Sequence, residues 1–210
     1  MRHEFKFLVY FIFLCIGQRA LADAYDIPKA VALENRKYTI VHDLTFAAGY
    51  LPIDSFNKSF TLNTSYLYNF KTYAGWEVIN ASLCSNQDTG LKSNLLNNFG
   101  ALPTGFLDYY TSIVTTNFVY SPIYAKNLFF NEKVVNSETS FVGGGGMVGF
   151  NSGATAPLFG VGMINRYFLS DSTSLKLDAR VYYHTASGKS SNMILMLSVG
   201  YSFNFGSVGK

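Results

Sequence analysis

The chain has 210 residues, 49% of them hydrophobic, 17% aromatic and only 14% charged. That length points to one domain, and the apolar content excludes a disordered chain. The formal charge of +3 shrinks once residues 1–22 are set aside, because Arg2, Lys6, Arg19 and Glu4 lie there and the remainder holds 13 bases against 12 acids. A near-neutral chain has no electrostatic footprint for nucleic acid.

Residues 1–22 read as a secretory signal peptide. Arg2 and Lys6 precede an unbroken apolar run from Phe7 to Ile16, and Ala20-Leu21-Ala22 is a small-x-small cleavage site that puts the mature start at Asp23. Ten helical residues span about 15 Å, half a bilayer core, too short for a permanent membrane helix. Leu14 ahead of Cys15 is not the small residue that lipid attachment would need. Cleavage removes Cys15 and leaves Cys84 alone, so an exported chain is expected to have no intramolecular disulfide. Residues 23–37 form a periplasmic leader without a clear period.

From Tyr38 onward the pattern alternates. Tyr38, Ile40, Leu44, Phe46, Ala48 and Tyr50 share one face, and Thr39, Asp43, Thr45 and Gly49 the other. Phe60, Leu62, Tyr66, Tyr68 and Phe70 oppose Ser59, Thr61, Asn63, Ser65 and Asn69. A third segment, with Trp76 and Val78 against Glu77, alternates less cleanly. Later, Leu175, Leu177, Ala179 and Val181 oppose Lys176, Asp178 and Arg180, and the odd positions 193–205 are apolar against Ser198, Gly200, Ser202 and Asn204. Eight strands are predicted, over 38–51, 58–71, 73–86, 112–121, 134–150, 156–168, 174–184 and 193–205. Turns fall at 71–73, 121–133 and 168–174, and outer loops at 51–58, 86–112, 150–156 and 184–193.

A soluble sandwich and a membrane barrel both alternate. Strand length decides: about 13 residues tilted near 45° cross about 30 Å. Aromatics at strand ends (Tyr38 and Tyr50; Phe203 and Phe205) match the girdles of a membrane barrel. The expected fold is all-β, an eight-stranded antiparallel up-and-down transmembrane β-barrel over 38–205, with a short tail at 206–210.

Strand parity turns Asp43, Glu138, Arg166, Lys176, Asp178 and Arg180 inward, with Glu77 beside them. In a barrel of eight strands side chains fill the lumen, so these four acids and three bases read as a salt-bridged plug rather than an ion path. Ser198, Gly200, Phe203 and Phe205 resemble the C-terminal sorting signal of bacterial outer-membrane barrels, read by the barrel-insertion machinery. His184 lies near Ser187, Ser190 and Ser191, which keeps open a Ser/His hydrolase acting on lipid; a small channel is the other alternative. His42 falls on the apolar face near an interface. Two histidines and one cysteine make no zinc set, and Gly143–Gly146 lack the Lys-Ser/Thr and helix of a phosphate loop; they read as a place where a strand bends tightly or neighbouring strands approach closely. No cofactor or catalytic residue is expected.

Arg36-Lys37-Tyr38, Tyr120-Ser121-Pro122-Ile123-Tyr124-Ala125-Lys126, Gly160 to Leu169, and Leu175-Lys176-Leu177-Asp178-Ala179-Arg180 occur in that order. Together they resemble the myxobacterial-type outer-membrane β-barrel domain family over roughly 36–205. Ala125 replaces the glycine of that pattern and Glu138 its aspartate. The resemblance implies an integral outer-membrane barrel and no known reaction. The resulting expectation is a bacterial outer-membrane scaffold in contact with membrane lipid, presenting loops, with 86–112 as the main contact surface.

Overall fold

The computed structural model describes residues 36–52, 57–88, 90, 94, 97, 98, 100, 109–129, 133–186 and 192–206. Eight strands form β1 (His42–Pro52), β2 (Asn57–Lys71), β3 (Ala74–Asp88), β4 (Tyr110–Phe129), β5 (Lys133–Phe150), β6 (Thr155–Phe168), β7 (Thr173–His184) and β8 (Met193–Phe205). Each pairs antiparallel with the next, and β8 returns to β1 to close a barrel. The signal peptide and most of the long loop between β3 and β4 lie outside the described residues, as do Ser187, Ser190 and Ser191.

β8 shows why the ring closes as it does. Its thirteen residues alternate between exposed and buried without a break. Met193, Leu195, Leu197, Val199, Tyr201, Phe203 and Phe205 point out, while Ser198, Ser202 and Asn204 are buried within. The period of two forces that split. The other strands repeat it: Phe60, Leu62, Leu83, Phe118, Phe159 and Val161 are all more than half exposed, whereas Asp43, Glu77, Arg166, Lys176 and Arg180 are buried. The barrel therefore wears its apolar side outward. Outward aromatics mark both ends of the wall. Phe60 lies toward one rim and Phe70 toward the other; ten residues at about 3.3 Å and about 40° of tilt separate them by about 25 Å along the barrel axis.

The interior is layered. At the end carrying the longest connection, Leu51, Ile113, Val148, Leu158, Ile194 and Met196 form an apolar plug. The charges sit below it, and Leu67, Val119, Val142 and Ile164 make a second apolar cluster. The expectation of a polar plug thus holds for the central lumen, while the loop end is sealed by hydrocarbon.

Three elements differ from the sequence reading. β1 begins at His42, not Tyr38, because residues 36–41 leave the wall. Val41 still bonds Asn69 and Gly206, but Tyr38 stacks on Phe168 of β6 at 4.7 Å and Ile40 is buried. These residues form a strap, whose six residues of extended chain reach about 20 Å, toward the far wall. The 121–133 turn is instead mostly ribbon: β4 and β5 continue pairing from Ile123↔Thr139 to Phe129↔Lys133. Pro122 misled the reading. It lacks an N–H for the ladder but falls in the register break between Tyr120 and Ile123, where a bulge tolerates it. In β3, Tyr66 pairs with Ile79 and Leu67 with Glu77, so Val78 is an extra residue. The bulge turns both Val78 and Ile79 outward and keeps Glu77 and Asn80 buried, which is why this segment alternates poorly in sequence.

Glycines make room for large inward side chains, so of the two roles expected for Gly143–Gly146, a tight strand bend or a close approach of neighbours, the contacts show the second. Gly162 pairs with Arg180 and Gly160 with Tyr182 across β6 and β7. A Cβ on Gly162 would stand 2.7 Å from Arg180 Cγ, and one on Gly160 would enter the Tyr182 ring. Gly144 and Gly146 serve Asn117 and Thr115 in the same way, the close approach expected of the glycine run. Gly143 faces outward, its nearest neighbour Val161 Cγ1 at 4.0 Å. Gly162→Ala should therefore destabilise the barrel by about 1–3 kcal/mol through overpacking, and Gly143→Ala by less than about 0.5 kcal/mol. Denaturant unfolding in lipid vesicles, followed by the fluorescence of the single tryptophan, Trp76, measures both; equal effects would refute this account.

Candidate functional site: the interior ionic network

Parity alone aims the seven predicted charges inward; pairing depends on where each stands along its strand. Asp43 of β1 is fully buried. Its Oδ2 binds Arg166 Nη2 of β6 and lies 3.2 Å from Lys176 Nζ of β7. Its Oδ1 accepts a 2.8 Å bond from Thr45 Oγ1, which in turn accepts from Lys176 Nζ at 2.8 Å. One carboxylate thus answers two cations and a hydroxyl.

The second cluster centres on Arg180 of β7. Its Nη1 and Nη2 take Glu77 Oε2 and Oε1 at 2.7 and 3.0 Å, a two-pronged pair reaching to β3. Its Nε and the same Nη2 bind Asp178 at 2.8 and 2.6 Å. Asn117 Nδ2 adds a bond of 2.6 Å to Glu77 Oε2. Arg suits this place because its planar fork serves two carboxylates at once, which an ammonium cannot do with the same geometry. Gly162 lets its stem lie against the wall.

Glu138 stands apart from both clusters. Its partner is Arg36, 3.8 Å away on the strap, a residue the sequence reading placed in the leader. Arg36 also donates to the carbonyls of Thr72 and Ser121, the latter at 3.0 Å, and lies over the Tyr124 ring at 5.5 Å. With Arg36 included, four acids face four bases. Sequence spacing gave no signal for this pairing, because it arises from a segment that has left the sheet.

His184 is fully buried at the loop end. Its Nδ1 accepts the Ala186 N–H at 3.3 Å, so the neutral ring carries its proton on Nε2, which faces Tyr110 Oη at 3.2 Å. Tyr110 and Phe150 meet the ring edge-on. The imidazole is a packed element of the plug, with no exposed face for a substrate. His42 points outward, bonded to Tyr66 Oη at 2.8 Å and ringed by Tyr66 and Tyr68 near the opposite rim. Among the described residues no cluster of His, Cys, Asp and Glu could hold a metal ion.

The four residues of the proposed sorting signal divide between faces. Ser198 and Gly200 line the lumen, whereas Phe203 and Phe205 are exposed outside, with Phe203 edge-on to Phe46 of β1 at 6.5 Å. They lie on the strand that closes the ring.

No protein-family model matches the chain, and no curated protein matches its sequence. Solved structures with similar folds include the N-terminal β-barrel domain of Pseudomonas aeruginosa OprF, at 8% identity and a TM-score of 0.45, covering 78% of this chain and 96% of that one. Neisserial surface protein A is 14% identical, with a TM-score of 0.43 and coverage of 78% and 94%. The outer-membrane enzyme PagL is 11% identical, with a TM-score of 0.40 and coverage of 76% and 97%. The fold itself, read from its own strands, is an eight-stranded antiparallel up-and-down β-barrel with an ionic core.

Arg180→Met would strand two carboxylates, Glu77 and Asp178, and should lower the unfolding free energy by about 3–5 kcal/mol. Adding Glu77→Gln and Asp178→Asn should recover more than half of that loss. Equilibrium unfolding in vesicles tests the pair of outcomes; a single-variant loss under about 1 kcal/mol would refute the ionic account.

Proposed function

We propose that this chain is an integral protein of a bacterial outer membrane: a sealed β-barrel scaffold, carried there by residues 1–22 as a cleaved signal peptide and delivered to the insertion machinery by Ser198, Gly200, Phe203 and Phe205. The observation that carries the reading is the inverted polarity of the wall. A protein in water buries its large apolar side chains, yet here Leu62, Leu83, Val161 and Phe159 are 63–70% exposed while Arg180 and Glu77 are at 1–2%. Hydrocarbon is the solvent that favours this arrangement, and a closed ladder is one of the two backbone forms it permits. The resemblance to the myxobacterial-type barrel family belongs to this proposal and agrees with it.

Among the described residues nothing in the lumen supports conduction. The apolar plug closes one end, paired charges fill the centre, and the strap runs beneath. On this placement the lipid-facing wall meets membrane lipid, and the connections between strands, chiefly the long one between β3 and β4, are the parts free to meet other molecules. The function proposed is therefore presentation of loops on a rigid frame, without a reaction.

Two measurements test this. Val161 lies at the middle of β6 and faces outward; Val161→Arg should reduce stability in vesicles by about 2–4 kcal/mol, and a neutral effect would place that wall in water. Planar-bilayer recording of the refolded barrel should give no unitary current above leak, and reproducible steps would overturn the sealed lumen.

A further inference from the structure

The two ionic clusters leave a small cavity between them. It measures about 10 Å³ and is lined by Thr45, Asn63, Ser65, Asn80, Lys176 and Ser198, among others. Its hydrogen-bond inventory is unbalanced. Asn63 Oδ1 and Asn80 Oδ1 are buried acceptors without a partner among the described residues, on side chains only 7% and 4% exposed. Opposite them, Lys176 Nζ gives one N–H to Asp43 and one to Thr45. An ammonium has three. Two acceptors on β2 and β3 thus line the same cavity as an ammonium on β7 that has one N–H left to give.

We propose that this cavity is a binding site for one water molecule, which accepts from Lys176 Nζ and donates to Asn63 Oδ1 and Asn80 Oδ1. The volume sets the size, since about 10–15 Å³ of such space holds one water. The donor set selects the chemistry. The one carboxylate in the lining, Asp178, already accepts from Arg180 through both oxygens, and a metal cation would meet the Lys176 ammonium at close range, where like charges repel strongly in a low dielectric. An anion would meet two amide oxygens. Water alone supplies two donors and an acceptor in that volume. The bound molecule ties the Asp43–Arg166–Lys176 cluster to β2 and β3, whose Glu77 belongs to the Arg180 cluster, so that the interior charges act as one network. The inference stands on the lumen alone and does not depend on which solvent bathes the outer wall.

The test uses the full chain. A crystal structure at about 1.6 Å or better should show one peak within about 2.7–3.2 Å of the three named atoms, and in micelles the side-chain amides of Asn63 and Asn80 should show cross-relaxation with a long-lived water. A peak with four or more oxygens at about 2.4 Å would be a cation and would overturn the proposal. So would amide oxygens bonded to protein groups with no peak between them. Energetic coupling gives an independent readout. Asn80→Leu and Lys176→Met share no direct hydrogen bond, yet through the water their effects on the unfolding equilibrium constant should be coupled by more than threefold; coupling of threefold or less overturns the proposal. Should a variant not fold, the wild-type density and cross-relaxation decide the matter.

Discussion

An ionised side chain inside so narrow a barrel has no bulk water to fall back on, and every charge must find its counter-charge within the lumen. That constraint organises the molecule. Arg180 is held at its pleat position by a glycine across the strand and takes two carboxylates from two different strands. Asp43 balances Arg166 and Lys176, which reach it from β6 and β7. The pairs Arg166–Asp43, Lys176–Asp43 and Arg180–Glu77 fix the register of strands that are not neighbours in the ring, while Asp178 braces Arg180 from its own strand. A slip of one residue would expel the charges to the outer wall and bring leucine and valine inside. The charges are thus as much a device of registry as of stability.

The same constraint explains the strap. Glu138 lies on β5 opposite Arg166 in the ladder, but that guanidinium is engaged by Asp43. Arg36 supplies one from outside the sheet, and its other contacts hold it there: the carbonyls of Thr72 and Ser121 and the face of Tyr124. A short segment ahead of β1 thereby becomes part of the core. It also anchors the register break at Pro122, where β4 leaves β3 and continues with β5 alone.

How much of this was legible in the sequence follows from which signals are local. Alternation in β7 and β8 needs only the pleat, and it fixed both strands to within a residue. The inward facing of Asp43, Lys176 and Arg180 followed from the same count. What failed were features in which two strands decide together. Val78 is an extra residue only because β2 supplies one fewer opposite it. Pro122 reads as a turn until the partner strand shows a bulge. Tyr38 and Ile40 keep the parity of β1 in sequence, yet they leave the sheet because Phe168 and the interior offer them better contacts. Arg36 belongs to the Arg36-Lys37-Tyr38 stretch of the family resemblance, but nothing in its spacing reveals Glu138, 102 positions on, as its partner. The glycines at 160 and 162 were visible; their cause, the side chains of Tyr182 and Arg180 across the ladder, was not.

The distribution of polarity narrows what such a molecule can do. Among the described residues, the space between the interior charges has room for no solute larger than water. A wall of leucine, valine and phenylalanine, on the proposed placement, is matched to hydrocarbon and carries no recognition chemistry of its own. His184, the residue best suited by type to acid–base work, spends both ring nitrogens on holding Ala186 and Tyr110 in the plug. Specific contact is then left to the rims, and the two differ in kind. The rim where β1 begins and β8 ends is bound by the strap, by short connections at 72–73 and 169–172 and by the β4–β5 ribbon, whereas the other carries the connection from 89 to 109 at the end with the apolar seal. The hydrocarbon plug packs the strand ends from which that connection leaves. Charges placed there instead would draw water to the loop roots and loosen them. The layering of the interior, apolar toward the end of the long connection and ionic at the centre, suits the proposed role of a frame that presents loops.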